Sequence, residues 1–324
     1  MMLKRHLYLF ATLLLFTQFS CKQKSKNAMP VIGFVDALQD ETLAQARFGF
    51  VAALKDSGFE DKKNITIQYR NAQNDQPTLG LIVNYFVSEP VDLLATCTTL
   101  SSVTAVQKTK TIPIFEMVSP TPARMGVLDA NGNPPPNLFG AVEDLAYIDT
   151  SFTLIPKVVK PKGHSLVIGM TFNQAEPQSV DAMTRIKALA AKSGITLIAL
   201  PLNNSADAQL VTQSLLTKNI DVFFALPDNT VFAAFETIKK NCDQYNVPIF
   251  TSEAGLVKLG AVAAFGADMY QWGYQAGGQA VHFLKTHSTA GLKPEMVKVR
   301  KRVYNPAEAK KFNITIPPDF VAVK

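Results

Sequence analysis

Cysteine, histidine and tryptophan are scarce in this chain of 324 residues, with three, four and one respectively. Three cysteines are too few for a disulfide framework. Cys97 and Cys242 each sit in or beside an apolar stretch, where a cysteine behaves as a small buried hydrophobe. The histidines His6, His164, His282 and His287 show no ligand spacing with the cysteines, so no metal site is expected. No Gly-x-Ser-x-Gly elbow, phosphate-cradling glycine loop or His-Glu-x-x-His motif occurs. No histidine follows a predicted strand either, so an enzyme built on this chain would have to work with aspartate and glutamate alone. No catalytic constellation appears. Basic and aromatic residues do not interleave as on a nucleic-acid platform, which argues against a nucleic-acid partner. The net charge of +6 falls to +4 when Lys4 and Arg5 are removed with residues 1–20. A basic cluster at 298–302 (KVRKR) reads as a solvated edge.

Beyond residue 20 no apolar run is long enough for a membrane span. Residues 1–20 have the form of a sorting signal: a basic start, an apolar stretch at 7–16 and a short tail ending in Ser20. The tail runs into Cys21 in a pattern that resembles the lipobox of bacterial lipoproteins, in which the cysteine sulfur carries a lipid. Phe19 and Gln18 depart from its commonest form. The expectation is a lipid anchor on Cys21, a polar and basic tether at 21–29, and a position outside the cytoplasm on a bacterial membrane.

From residue 30 short apolar runs alternate with helical patterns. Strands are predicted at 31–35, 65–69, 91–95 and 112–117, with helices at 42–57, 78–88 and 101–108 between them. After a turn-rich breaker at 129–136 (DANGNPPP) a strand at 138–142 leads into a second round. It has strands at 166–170, 195–200, 222–226 and 247–251 and helices at 179–193, 206–216 and 231–245. This grammar predicts an α/β protein of two Rossmann-like lobes with parallel sheets. A late helix at 270–284 would pack back on the first lobe, so the chain crosses several times and forms a hinge. The expected boundaries are 30–142 with 267–287 for lobe 1 and 143–266 with 288–324 for lobe 2.

Ligands of open α/β sheets sit beyond the carboxyl ends of the strands, near helix N-termini. On the first lobe these loops carry Asp36, then a hydroxyl-rich run with Thr98 and Thr99 opening a helix, then Ser119. Hydroxyls beside a helix N-terminus suit an anion such as a carboxylate. On the second lobe the loops bring Asn173 and Glu176, Asp228 and Asn229, and Glu253, with Phe265 as an apolar wall. Asp228 could equally be a helix cap. Glu253 is harder to explain by capping and suits a ligand ammonium. Opposite characters on the two lobes point to a zwitterion such as an amino acid.

Several segments carry a resemblance: VIGF at 31–34, FGFVAAL at 48–54, NITI at 64–67 with NAQNDQ at 71–76, VDLL at 91–94, IPI at 112–114, PDNTV at 227–231 and NITIP at 313–317. In order and spacing they resemble the substrate-binding proteins of ABC transporters, in particular the lipoprotein family associated with tryptophan or tyrosine uptake. The resemblance spans nearly the whole chain after the tether. It implies a type I periplasmic binding protein fold with a three-crossing hinge, no catalysis and no cofactor, and ABC permease and ATPase subunits as partners; a monomer is expected. It also implies that Thr98, Thr99 and Ser119 hold a ligand carboxylate while Asp228 and Glu253 face its ammonium, with an aromatic or branched amino acid as the ligand. The chain departs from the pattern at 129–136, which reads as an insertion, and at 117–120 (MVSP), which lacks the usual acidic residue. A ligand-sensing lipoprotein that signals to a receptor or sensor kinase is the alternative function on the same fold.

Overall fold

Asp40 shows how the helices of this protein are started. Its carboxylate accepts the N–H groups of Thr42 and Leu43 at 2.8 and 3.0 Å, and so opens helix α1 (Glu41–Asp56). Leu43, Ala46, Phe50 and Leu54 then fall on one buried face. Asp75 caps α2 (Gln76–Ser88), Asp228 caps α7 (Asn229–Gln244) and Asp268 caps α9 (Met269–Thr286) in the same way. The computed structural model from which this geometry is read describes residues 29–323. The expected signal, Cys21 and most of the tether lie outside the described residues.

The first sheet has the order β11-β5-β4-β3-β1-β2 and is parallel throughout. Its strands are β1 (Val31–Asp36), β2 (Thr66–Asn71), β3 (Leu93–Cys97), β4 (Ile114–Pro120), β5 (Leu138–Glu143) and β11 (Pro294–Met296). Helices α1, α2, α3 (Thr99–Lys108) and α9 belong with it. The second sheet runs β13-β12-β10-β9-β8-β6-β7. It is built from β6 (Val167–Phe172), β7 (Thr196–Pro201), β8 (Val222–Ala225), β9 (Ile249–Thr251), β10 (Ala263–Ala267), β12 (Arg300–Tyr304) and β13 (Val321–Ala322). Only the β10–β12 pair is antiparallel. This sheet carries α4 (Ala146–Val158), α5 (Pro177–Lys192), α6 (Ala208–Leu216), α7, α8 (Ala254–Lys258) and α10 (Pro306–Lys311). These are the two expected α/β lobes.

Three segments cross between the sheets: β5 into α4, β10 into α9, and β11 into β12. Because β11 pairs with β5, residues 294–296 lie in the first sheet, beyond the boundary expected at 287/288. Ion pairs tie the crossings together. Arg300 donates to both carboxylate oxygens of Glu143 at 3.0 and 2.7 Å, and Lys301 pairs with Asp268. The basic cluster expected to be a solvated edge is therefore partly a hinge clasp.

The sequence missed α4 because it has no capping residue at its start. Leu145 occupies that position with a left-handed φ of 68°, and Pro156 interrupts the pattern near the end. Short β10 and α8 were also missed, since neither is long enough to show a period.

Candidate functional site

The cleft between the two sheets' carboxyl ends narrows to a cavity of about 40 Å³. The first lobe contributes Thr98, Thr99, Val118 and Ser119, and the second contributes Tyr147, Gln178, Asn229 and Glu253. Leu145, Phe232, Met269 and Trp272 supply apolar wall. The Trp272 indole is fixed by a hydrogen bond from Nε1 to the Ala141 carbonyl oxygen at 2.6 Å.

Two features mark this cavity. The first is backbone strain. Thr98, Val118 and Leu145 all line it, and all are non-glycine residues with positive φ (78°, 56° and 68°). Thr98 and Val118 are β-branched, for which that region is especially unfavourable, and such strain concentrates where structure serves a site. The second is unmet hydrogen bonding. Thr98 Oγ1, Gln178 Oε1, Asn229 Nδ2 and Glu253 Oε2 are all buried without a hydrogen-bond partner, and all four residues face the cavity. Buried polar atoms without partners are costly, so their convergence points to a polar ligand that completes them.

The first-lobe wall comes from β3 and β4. α3 starts at Thr99 without a side-chain cap, so Thr98 leaves its hydroxyl free for the cavity. Behind it runs a hydroxyl chain, Thr96 Oγ1 to Ser102 Oγ at 2.9 Å and Ser102 Oγ to Ser119 Oγ at 3.0 Å. Beneath that chain lies Glu116, fully buried, its carboxyl held well above the usual range by burial, with the Ser119 and Ser102 hydroxyls opposing the shift. The acidic residue found missing at 117–120 thus has a neighbour one position earlier, turned beneath the cleft floor.

On the second lobe, Glu253 Oε1 accepts the Tyr147 hydroxyl at 2.9 Å, and Oε2 is left for the cavity. Burial pushes this carboxyl up to about 8, against the Tyr147 and Ser252 hydrogen bonds. Gln178, which sequence reasoning missed, is aimed by Glu176, whose carboxylate accepts its Nε2.

Of the expected site residues, the cavity brings together Thr98, Thr99, Ser119, Asn229 and Glu253. The others are placed elsewhere. Asp36 is buried against β2 and accepts the Tyr69 hydroxyl at 3.2 Å; burial raises its carboxyl to about 6. Asp228 spends both oxygens within its lobe. Oδ1 caps Thr230 and Val231 at 2.7 and 2.9 Å, and Oδ2 takes the Asn173 N–H at 2.8 Å and the Ser179 hydroxyl. The ammonium-facing role expected of Asp228 therefore becomes a framework role. Asn173 is likewise held, by Glu176 and Thr230 at 3.2 and 2.8 Å. Glu176 accepts from Thr230 and from the Asn229 N–H, both at 3.2 Å, so it braces the site from behind. Burial, with the Asp228 charge second, raises its carboxyl to about 8.

Phe265 lies under the Arg302 guanidinium, 4.6 Å from its ring centre, in a separate groove of about 840 Å³ on the hinge flank. That groove is larger, and two of its cations are paired within the protein, Arg302 with Asp319 at 3.2 Å and Lys301 with Asp268. None of the partnerless buried atoms lies along it. The smaller cavity is the candidate site.

Among the described residues, two contacts between the lobes lie beyond the crossings and bear on closure. Arg124, in the turn after β4, forms an ion pair with Asp181 on α5. Gly255 on α8 lies directly against Thr42 on α1, where a Cβ would overlap the threonine side chain. A Gly255→Leu variant is expected to hold the lobes apart. It should enlarge the radius of gyration in solution scattering, keep its circular dichroism, and lose about tenfold or more in ligand affinity as the closed population falls. An unchanged radius would remove this contact from the closing surface.

Residues 31–323 match the family model for ABC transporter substrate binding proteins. The chain belongs to that family. It is 32% identical over 270 residues to a tyrosine-binding protein of Clostridioides difficile, an alignment covering 83% of this chain and 76% of the relative. Among solved structures, a conserved domain protein from Vibrio cholerae superposes with a TM-score of 0.82 at 29% identity, covering 92% of this chain and all of the other. A ligand-free, open substrate binding protein with adhesive properties from Clostridium difficile gives 0.66 at 28% identity, covering 91% of this chain and 99% of that one. A streptococcal domain in complex with L-Trp shares the fold with a TM-score of 0.80 at 22% identity, covering 90% and 97%. The type I periplasmic binding protein fold and the substrate-binding role within the ABC family stand on these matches. Among the described residues, no helix is long and apolar enough to cross a membrane.

Proposed function

We propose that this family member captures an amino acid with a large apolar side chain in the cleft between its lobes and hands it to an ABC permease driven by its ATPase subunits. The single observation that carries this reading is the set of four partnerless buried polar atoms around one apolar-walled cavity. Thr98 and Asn229 can donate to a carboxylate, while Glu253 and Gln178 can accept from an ammonium. Phe232, Met269 and Trp272 suit an apolar or aromatic side chain. The tyrosine-binding relative and the L-Trp complex on the same fold support an aromatic ligand. On this reading the protein is not an enzyme and needs no cofactor. It works as a monomer outside the cytoplasm, held to the membrane by a lipid on Cys21.

Closure follows from the same geometry. On this reading the ammonium is met by Glu253 and Gln178 of the second lobe, while the carboxylate takes Thr98 of the first lobe as well as Asn229 of the second, so only the closed arrangement completes the site. Thermal shift against the twenty amino acids tests the reading. A true ligand at one hundred times its Kd stabilises by about 2.7 kcal/mol, which for a chain of this size raises Tm by roughly 5 °C. No shift with any amino acid would overturn it.

A further inference from the structure

We infer that capture of an ammonium-bearing solute in this cleft expels one proton from Glu253 to the solvent. The inference rests on the amino-acid reading above and adds to it a coupling between solute and proton.

The geometry carries it. The cavity is lined by two carboxyl groups, Glu143 and Glu253, and among its described lining residues there is no lysine, arginine or histidine. Glu143 has its counter-ion, since Arg300 grips both of its oxygens. Glu253 has none. Its contacts are neutral: the Tyr147 hydroxyl on α4 at 2.9 Å and the Ser252 hydroxyl beside it at 3.4 Å. On the flanking strand β12 every cation is engaged elsewhere, Arg300 with Glu143, Lys301 with Asp268 and Arg302 with Asp319. Lys258 on α8 and Glu41 on α1 are exposed and line the flank groove, not the cavity. Across the cleft the facing groups are the hydroxyls of Thr98, Thr99 and Ser119, and within the lobe the amides of Gln178 and Asn229. A fully buried carboxylate with only neutral partners and a second carboxylate nearby keeps its proton. Its position at about 8, set first by burial, agrees with this.

The incoming ammonium is the missing counter-ion. As it takes its place, the carboxyl O–H bond breaks, the ammonium N–H hydrogen-bonds to the new carboxylate, and the proton passes to bulk water. No electrons move and no third reactant is required. The count is the same if the proton is instead shed by the amine and retained on Glu253. The sign is fixed as well. Below about pH 8 the ligand must displace a proton, so affinity falls as pH falls; above it the site is already ionised and affinity levels off.

Calorimetric titration of the full protein with L-tyrosine and with L-tryptophan, in two buffers of different ionisation enthalpy, counts the proton. At pH 6.5 about one proton should be released per ligand bound, and affinity should rise about tenfold per pH unit until it flattens near pH 8. Glu253→Gln, which keeps the shape of the protonated acid, should bind more weakly, release no proton and lose the pH dependence. Tyr147→Phe removes a hydrogen bond that favours the ionised form, so its flattening point should move to higher pH. Wild-type binding with no proton release and a flat affinity from pH 6 to 8 would overturn the inference and leave the amino-acid reading intact. Absence of binding by any amino acid at any pH would instead bring down that reading, and this one with it.

Discussion

Replacing Glu253 by alanine is expected to weaken amino-acid binding by at least about thirtyfold, since removing one partner of a buried charge pair costs roughly 2–5 kcal/mol. The size of the effect follows from the absence of any substitute. Among the described residues no other unpaired carboxylate lines the cavity, Glu143 being held by Arg300 and Asp228 being consumed by the N-terminus of α7. Calorimetry gives the affinity, and solution scattering gives the closure that should be lost with it, because Glu253 and the Thr98 loop belong to opposite lobes. Weakened binding with ligand-induced closure intact would show that Glu253 grips the ligand without linking the lobes. Unchanged affinity would place the ammonium elsewhere, and Gln178 would be the remaining acceptor to test.

The second large effect concerns the scaffold that carries the first lobe's half of the site. Helices α1 and α9 cross so closely that glycines stand at the contact. A Cβ on Gly273 would overlap the Ala46 carbonyl oxygen, and one on Gly49 would overlap the Tyr270 carbonyl oxygen. These neighbours are backbone and cannot swing aside. Gly273→Leu should therefore cost about 4 kcal/mol or more of stability, the range reached by severe overpacking, and lower Tm by roughly 7 °C. Gly80 supplies the contrast. It lies in α2 with nothing near its added Cβ, so Gly80→Ala should stabilise slightly through helix propensity, by up to about 1 kcal/mol. Thermal and denaturant melts of the two variants compare them directly. A mild Gly273→Leu phenotype would mean that α9 can slide on α1, and the second crossing would then be a softer hinge than the ion pair of Lys301 with Asp268 suggests.

The alternation of buried strands with capped helices was legible because each unit announces itself locally. Asp40 with the spaced Leu43, Ala46, Phe50 and Leu54, and Asp228 before Val231, carry their helices within a single turn of sequence. α4 stayed hidden for the converse reason. Its start rests on Leu145 in a left-handed conformation without a side-chain cap, which no local propensity reveals. The candidate site divides along the same line. Strand-end position picked out Thr98, Ser119, Asn229 and Glu253 because the fold class dictates where such loops gather. It offered no way to tell a carboxylate that faces the cleft from one that caps a helix or braces a loop, as Asp228 and Glu176 do. Nor could it find Tyr147, Gln178 or Trp272, which reach the cavity from a missed helix and from the first turns of α5 and α9.

By itself, then, the sequence determined two α/β lobes, the loops on which a ligand would be met, and the polar character of each. Only the tertiary structure decided which of those groups remain unsatisfied. A hydroxyl or carboxylate has the same chemistry wherever it lies in the chain, and its availability depends on whether folding supplies it a partner. Asp228 found four donors within its own lobe, whereas Thr98, Asn229 and Glu253 were left with atoms that nothing in the protein completes.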